Sequence, residues 1–406
     1  MKNEWPVKRL GDLSDVITKG TTPTSVGHAF VPEGINFVKV ESISENGQFI
    51  ENKLARITQE CHNALRRSQL KSGDILFSIA GALGRTAFVT EDIVPANTNQ
   101  ALAIISLRKS DDVSPEFVLK ALSTGIVLEQ IEKFKGGVAQ QNLSLAQVRD
   151  FQITLPPLPE QLRIVGILDE AFESIATAKA NAEKNLQNAR AIFDSHLQSV
   201  FTQRGPGWVE KPLGSLASFR NGINYTKDSK GECIKILGVR NFQKNFSAPL
   251  DDLDTVTIDG ELSALDSLRQ DDILAVRSNG NIELIGRCIL VGEVTEKISH
   301  SGFTIRIRLS NGEVLPIYLC HFMKSASSRK RLTDGGTGTN IKSLNQGMLS
   351  AFAIPFPPLS VQNVLVEKLE SFSDETRRLE SIYQRKLAAL EALKKSLLHQ
   401  AFTGQL

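Results

Sequence analysis

The sequence lacks most of what marks a membrane protein, a metalloprotein or a strongly charged nucleic-acid coat. No stretch of 18 or more apolar residues is present, so no transmembrane helix and no membrane partner are expected. The opening Met1-Lys-Asn-Glu-Trp-Pro has no apolar signal-peptide core, and the expected location is cytoplasmic. Cysteine is scarce. Cys61, Cys233, Cys288 and Cys320 lie far apart in the sequence with no C-x-x-C, which reads as reduced thiols. Cys61-His62 and Cys320-His321 each lack a second pair at ligand spacing, so no metal is expected. Lys+Arg number 47 against 45 Asp+Glu, a formal charge of +2 over 406 residues. That balance argues against tight nucleic-acid binding by counterion release alone. It leaves room for a reader with a few well-placed basic groups.

Catalytic signatures are missing too. A base methyltransferase needs a glycine-rich loop after a strand and an Asn/Asp-Pro-Pro-aromatic or Pro-Cys loop; the chain offers only Leu155-Pro-Pro-Leu and Phe356-Pro-Pro-Leu, whose apolar flanks cannot hold an exocyclic amine. There is no G-x-x-x-x-G-K-[ST] phosphate loop and no G-x-S-x-G elbow. Glu51-Asn-Lys53 matches the Glu-x-Lys part of a nuclease site, but that triplet is common. None of the six histidines falls in a triad or metal spacing. No catalytic residue and no cofactor site is expected.

What is present is written twice. Trp5-Pro-Val-Lys-Arg-Leu-Gly-Asp-Leu13 returns as Trp208-Val-Glu-Lys-Pro-Leu-Gly-Ser-Leu216. Gly73-Asp-Ile-Leu76 returns as Asp271-Asp-Ile-Leu274, and Gly84-Arg85 as Gly286-Arg287. Asn142-Leu-Ser-Leu145 resembles Asn340-Ile-Lys-Ser-Leu344. Leu155-Pro-Pro-Leu-Pro-Glu-Gln161 returns as Phe356-Pro-Pro-Leu-Ser-Val-Gln362, and Phe201-Thr-Gln203 as Phe402-Thr-Gly404. Ordered matches at nearly one offset imply a duplicated unit of roughly 200 residues, consistent with the two to three domains expected at about 150 residues each.

Each unit has two parts. Residues 1–155 and 206–355 carry short apolar runs such as Ile75-Leu-Phe-Ser-Ile79 and Phe303-Thr-Ile-Arg-Ile-Arg-Leu309, broken by Gly, Asn and Pro, and read as α/β globules. Between the strands, Ser114 is placed to cap a helix with Pro115 in its first position. Residues 156–205 and 356–406 each read as one long helix. Residues 160–203 and 361–404 contain no proline and only Gly166 and Gly404. Pro159 suits the first turn of one helix and Ser360 the cap of the other. At 1.5 Å per residue each helix runs about 63 Å. Val165, Leu168, Phe172, Ile175, Lys179, Ala182, Leu186, Ala189, Phe193, His196 and Val200 follow a 3-4 spacing, a coiled-coil seam. Leu369, Phe372, Leu379, Tyr383, Leu387, Leu390 and Leu397 form the other, with a register shift near Leu379. A duplicated unit favours a two-fold-related, antiparallel pair.

The remaining signal is polar loops between strands. Asn and Gln can pair with adenine and Arg with guanine, while Ser, Thr and glycine amides suit phosphates. The candidates in the first globule are Lys19, Thr21, Thr22, Arg85, Asn97, Asn99, Gln100, Gln140, Gln141 and Asn142. In the second they are Arg220, Asn221, Asn224, Tyr225, Lys227, Arg240, Arg277, Asn279, Asn281, His300, Thr337, Thr339, Asn340 and Lys342. Such residues also build ordinary turns. The basic triplet Arg329-Lys-Arg331 reads either as a local cluster or as a solvated helix face.

Two globules, each opened by Trp-x-x-x-x-Leu-Gly-x-Leu and closed by Pro-Pro-Leu-x-x-Gln and a long helix, resemble the specificity subunit of type I restriction-modification systems. The likeness runs through the closing Phe-Thr-Gly-Gln-Leu, and departs at Ser360-Val361, where Pro-Glu is usual. It implies an α/β (α+β) fold of two target-recognition domains related by pseudo-two-fold symmetry and separated by an antiparallel coiled coil. Each domain would read one half of a bipartite duplex DNA site. The helices would set the gap and dock two DNA-methylation subunits, which bring S-adenosylmethionine, and through them two helicase-nuclease restriction subunits. The rival reading is a helical scaffold whose globules bind something other than duplex DNA.

Overall fold

The computed structural model describes residues 5–135, 142–242, 245–333 and 343–406. The chain divides into two compact units, Met1–Ala182 with Arg385–Leu406, and Glu183–Gln384. The division falls inside both long helices, Leu158–Thr202 and Leu359–Phe402. Each unit therefore holds one globule, part of one helix's length and part of the other's.

In the first unit, strands Ser14–Lys19, Leu102–Leu107, Ile75–Ser78 and Thr86–Phe88 form an antiparallel sheet in that order. A second sheet runs Ala55–Ile57, Ile35–Val38, Ala96–Thr98, Gln69–Leu70, its middle pair parallel. The central strands of the first sheet, Leu102–Leu107 and Ile75–Ser78, are buried on both faces. Ile75, Phe77, Ala103 and Ile105 enter one core, while Leu76, Ala87, Leu102 and Ile104 enter another. Two-sided burial is why these strands read as continuous apolar runs instead of an alternation.

The second unit repeats the scheme. Ala217–Asn221, Thr304–Leu309, Ile273–Val276 and Cys288–Leu290 take the same order, and Asp254–Thr257, Cys233–Leu237 and Ile298–His300 form the smaller sheet around the same parallel pair. Among the described residues no strand corresponds to Gln69–Leu70.

The repeated motifs acquire physical reasons. Gly73 (φ +93°) and Asp271 (φ +68°) occupy the same left-handed turn. The following Asp74 and Asp272 are buried; one oxygen of each accepts a backbone N–H, from Lys71 at 2.8 Å and Arg269 at 2.7 Å. Leu10 and Leu213 are fully buried. A Cβ on Gly11 or Gly214 would meet Arg149 at 3.2 Å or Ser350 Oγ at 2.0 Å, so the Leu-Gly-x-Leu element lets the chain lie against a short helix.

Gln161 and Gln362 explain the Pro-Pro-Leu-x-x-Gln motif. Gln161 Oε1 accepts from Ser114 N at 2.9 Å, and its Nε2 donates to the carbonyls of Asp112 (2.8 Å) and Pro156 (2.7 Å). Gln362 does the same with Leu315 N (2.9 Å), Glu313 O (2.8 Å) and Pro357 O (2.8 Å). Both side chains are completely buried. Each amide latches the start of a long helix to its globule.

Two local expectations find their place. Ser114 Oγ accepts from Phe117 N, capping the helix Pro115–Leu122. The second long helix starts at Leu359, directly after Pro358, so Ser360 sits inside its first turn and not at the cap.

The seam is real along much of its length. In the first unit Leu168, Ile175 and Ala182 are buried seven residues apart. Lys179 Nζ meets Glu391 at 2.6 Å, and the Lys394 ammonium lies 5.2 Å from the Phe172 ring. In the second unit Ala189 is buried, Arg190 pairs with Glu380 at 3.0 Å, and Phe193 stacks on Phe372 at 6.2 Å. Numbers rise on one helix as they fall on the other, so within each unit the helices run antiparallel. His196 keeps to the expected seam, its ring 4.9 Å from that of Phe372, and Val200 packs against the second globule's core, while burial shifts to Leu197 and Phe201 within that core. A 3.6-residue helix drifts off a 3.5-residue repeat, and here the drift turns it onto the globule. On the second helix the buried Thr376 occupies the seam, its hydroxyl donating to Phe372 O. The first globule's core takes in Ile164 and Leu168 from one helix and Leu398 and Phe402 from the other. No helix among the described residues is long and apolar enough to cross a membrane.

Candidate nucleic-acid interface

The loops of the second globule converge because one of them crosses another at a glycine. A Cβ on Gly222 would lie 2.2 Å from Ser301 O and 2.3 Å from His300 O, so only glycine fits. The crossing is pinned by Ile223 N to His300 O (2.9 Å) and Gly302 N to Ile223 O (2.8 Å). Gly302 leaves room for the Asn224 side chain, whose Oδ1 lies 2.1 Å from where a Cβ would be. Arg277 N donates to Phe303 O at 2.8 Å and brings the next loop alongside. The result is a hollow of about 610 Å³ lined by Asn224, Tyr225, Arg240, Asn279, Ser301 and Phe303 among others. Arg240 bonds Asp254 at 2.8 Å and faces Asp252 at 3.7 Å. Amides, a guanidinium and two aromatic rings in one concavity are suited to base edges and thymine methyls.

The first globule uses the same device. A Cβ on Gly20 would lie 2.0 Å from Thr98 O. Thr21 N donates to that carbonyl at 3.1 Å, and Thr22 Oγ1 bonds Gln100 Oε1. Lys19 is exposed at the strand end, and Asn99 Oδ1 accepts from Ala101 N. Lys19, Thr21, Thr22, Asn99 and Gln100 are thus gathered at one crossing. Beyond it Phe30 is partly exposed beneath the Lys39 ammonium.

Other candidates stand elsewhere. Asn97 is fully buried, bonded to His62, to Ser68 and to the carbonyl of Leu65. His300 is buried, its Nδ1 2.8 Å from Thr304 Oγ1. Asn97 lies on an inner strand of its smaller sheet and His300 ends the outer strand Ile298–His300 of the other, and both side chains are buried in protein. Gln100 and Phe303, just beyond them in the chain, are exposed. Arg85 donates to the carbonyls of Ile43 and Val40, and Arg220 is held by Asp266. Asn281 caps the turn Ile282–Leu284 by accepting from Glu283 N. Asn142, Asn221 and Lys227 are exposed. Gln140, Gln141, Thr337, Thr339, Asn340 and Lys342 lie outside the described residues. In the basic triplet, Arg329 contacts Glu283 and Arg331 lies over Phe352, so it faces its own globule. Sequence reasoning missed Phe303, which is 60% exposed. The alternation gave no signal for it: Phe303 has the parity of the buried Ile305 and Ile307 but sits in the turn before the strand Thr304–Leu309.

Buried histidines set an acid limit on the second unit. Burial, then Arg306, push His300 down to about 3; burial, then Lys324 and Arg377, push His321 down to about 4. Both are neutral when folded but take a proton below about 6.5 when unfolded. Stability is therefore lost as pH falls from 6.5 toward those values, roughly 1.4 kcal/mol per histidine per pH unit. Urea melts at pH 7 and 5.5 are expected to differ by about 2–3 kcal/mol in the second unit. Replacing His300 by asparagine should remove about half of the difference; an unchanged difference would contradict it.

The sequence pattern of the type I restriction modification DNA specificity domain matches residues 2–187 and again 207–389. The chain is 24% identical over 382 residues to the StySPI specificity subunit of Salmonella potsdam, covering 89% of this chain and 80% of the relative. It is 23% identical to the EcoKI specificity subunit of Escherichia coli K12, covering 74% and 67%, and 22% identical to a putative MjaX specificity subunit of Methanocaldococcus jannaschii, covering 99% and 94%. A chain from a structure of type I restriction-modification complex assembly shares the fold with a TM-score of 0.80 at 18% identity, covering 100% of this chain and 99% of that one. The HsdS subunit of Thermoanaerobacter tengcongensis does so at 0.62 and 17%, covering 100% and 98%. A specificity-domain pattern matched twice, over two globules that repeat one sheet order, means that the chain belongs to the type I restriction modification DNA specificity family.

Proposed function

We propose that the chain is the DNA specificity subunit of a type I restriction-modification complex. Each globule reads one half of a bipartite duplex site, and the helix pair sets the unspecified gap. One observation carries this: the same glycine crossing in both globules presents different side chains, Thr22 and Gln100 in one, Asn224, Tyr225 and Phe303 in the other. One frame with two sets of readers is what two unlike half-sites require. The chain is non-catalytic in this reading. S-adenosylmethionine belongs to two methylation subunits that dock on the helices, with two restriction subunits beyond them. Apolar side chains left outward on the helices support such docking: Leu162 and Leu393 in the first unit, Ile192 and Val364 in the second.

Adding two turns to the first helix within 165–200, with a matched addition on the facing stretch of the second, tests the ruler. Two turns add about 11 Å, or roughly three base pairs at 3.4 Å each. The gap in the methylated site is expected to lengthen with the half-site bases unchanged. Altered half-site bases would contradict it.

A further inference from the structure

The second unit contains a cavity of about 520 Å³ between its globule and its helices, lined by none of the residues of the reader hollow. Its walls carry Arg190, Arg287, Lys324, Arg329 and Arg377 against two carboxylates, Asp194 and Glu380. Some of this charge is engaged. Arg190 pairs with Glu380, Arg377 with Asp374 at 3.1 Å, and Lys324 Nζ donates to Asn245 O at 2.9 Å. Arg287 Nε and a terminal nitrogen of Arg329 donate to the Glu283 carbonyl.

Two buried nitrogens on these walls stay unsatisfied, His321 Nε2 and Arg329 Nε. His321 is only 3% exposed, and its ring lies 4.3 Å from Phe246, which also lines the cavity. Arg329 Nε is a buried donor without an acceptor, which is costly and calls for an explanation, and His321 Nε2 is a second donor in the tautomer that carries the proton there. Surplus guanidinium and ammonium groups beside two orphan nitrogens call for an anionic oxygen acceptor. Phe193, Phe242 and Phe246 supply an apolar wall beside it.

We propose that this cavity binds a small phosphate-bearing molecule whose oxygens accept from Arg329 Nε and His321 Nε2 and whose organic part lies on the phenylalanine wall. The site does not depend on the DNA reading. Calorimetric titration of the full-length chain with inorganic phosphate, and separately with a nucleoside monophosphate, tests it at low ionic strength. One saturable site per chain is expected, with the nucleotide binding more tightly because its ring gains the apolar wall. Arg329→Met is expected to weaken phosphate at least about tenfold, the loss of one charge-assisted contact, and Arg377→Gln about threefold to fivefold, the loss of one cationic group from the wall. Lys330→Gln, exposed and outside the cavity, is expected to stay within about twofold. Thermal melts without phosphate check that the variants fold; if Arg329→Met does not, Arg377→Gln decides the comparison. The proposal is overturned by no saturable binding up to about 10 mM phosphate. It is also overturned by equal loss in Lys330→Gln, by binding undiminished in the cavity variants, or by a short duplex displacing bound phosphate, which would assign these groups to DNA.

Discussion

Replacing Gln362 by leucine is expected to lower the stability of the second unit by about 3–5 kcal/mol. Leucine matches the shape but none of the bonding. Leu315 N–H and the carbonyls of Glu313 and Pro357 lose their partner together in a site with no exposed surface. Each orphaned buried group costs about 1–3 kcal/mol, reduced where water reaches it. Gln161→Leu is expected to do the same to the first unit. The two tryptophans separate the units, Trp5 lying in one and Trp208 in the other. Urea melts of single-tryptophan variants should show Gln362→Leu moving the Trp208 transition and leaving that of Trp5 in place. A Trp208 midpoint within experimental error of the parent would show that the latch is dispensable.

The second large effect is on recognition. Replacing Tyr225 and Phe303 together by alanine removes two rings from the hollow without touching the backbone crossing at Gly222. Specific contacts to a base pair contribute about 1–3 kcal/mol of discrimination. The expected result is a loss of roughly 10- to 100-fold in preference at one or two base pairs of one half-site, the other half unchanged. Asn224→Ala should relax a single position. Competition binding of the assembled complex with singly substituted duplexes measures this. Uniform weakening across all sequences would instead make these side chains part of the phosphate grip.

Much of this was legible in the sequence, because duplication and periodicity are properties of the order of residues. Six repeated motifs located both globules, and the 3-4 spacing located both helices. What the order could not show is which side of a strand end faces outward. Asn97 and His300 carry the right chemistry one step too early, on buried strands, while Gln100 and Phe303 just beyond them emerge. Asn281 looked like a reader and is a cap, since an exposed amide serves either use. The latches of Gln161 and Gln362 were visible as a motif but not as a function, because their three partners lie up to 49 residues away. Cys288 and Cys320 read as isolated thiols, yet strand and helix bring them together in the second core, the thiol of one donating to the carbonyl of the other at 3.8 Å. The near-neutral charge has a counterpart in the fold, where Arg220, Arg240 and Arg308 are all ion-paired.

Mapping the methylated sites in cells that produce the complete complex tests two readers on one chain most directly. The expected result is a bipartite motif of two short specified halves and a fixed unspecified gap, in which exchanging residues 206–355 for those of another specificity subunit changes one half alone. A single short continuous motif, or a change in both halves, would contradict it.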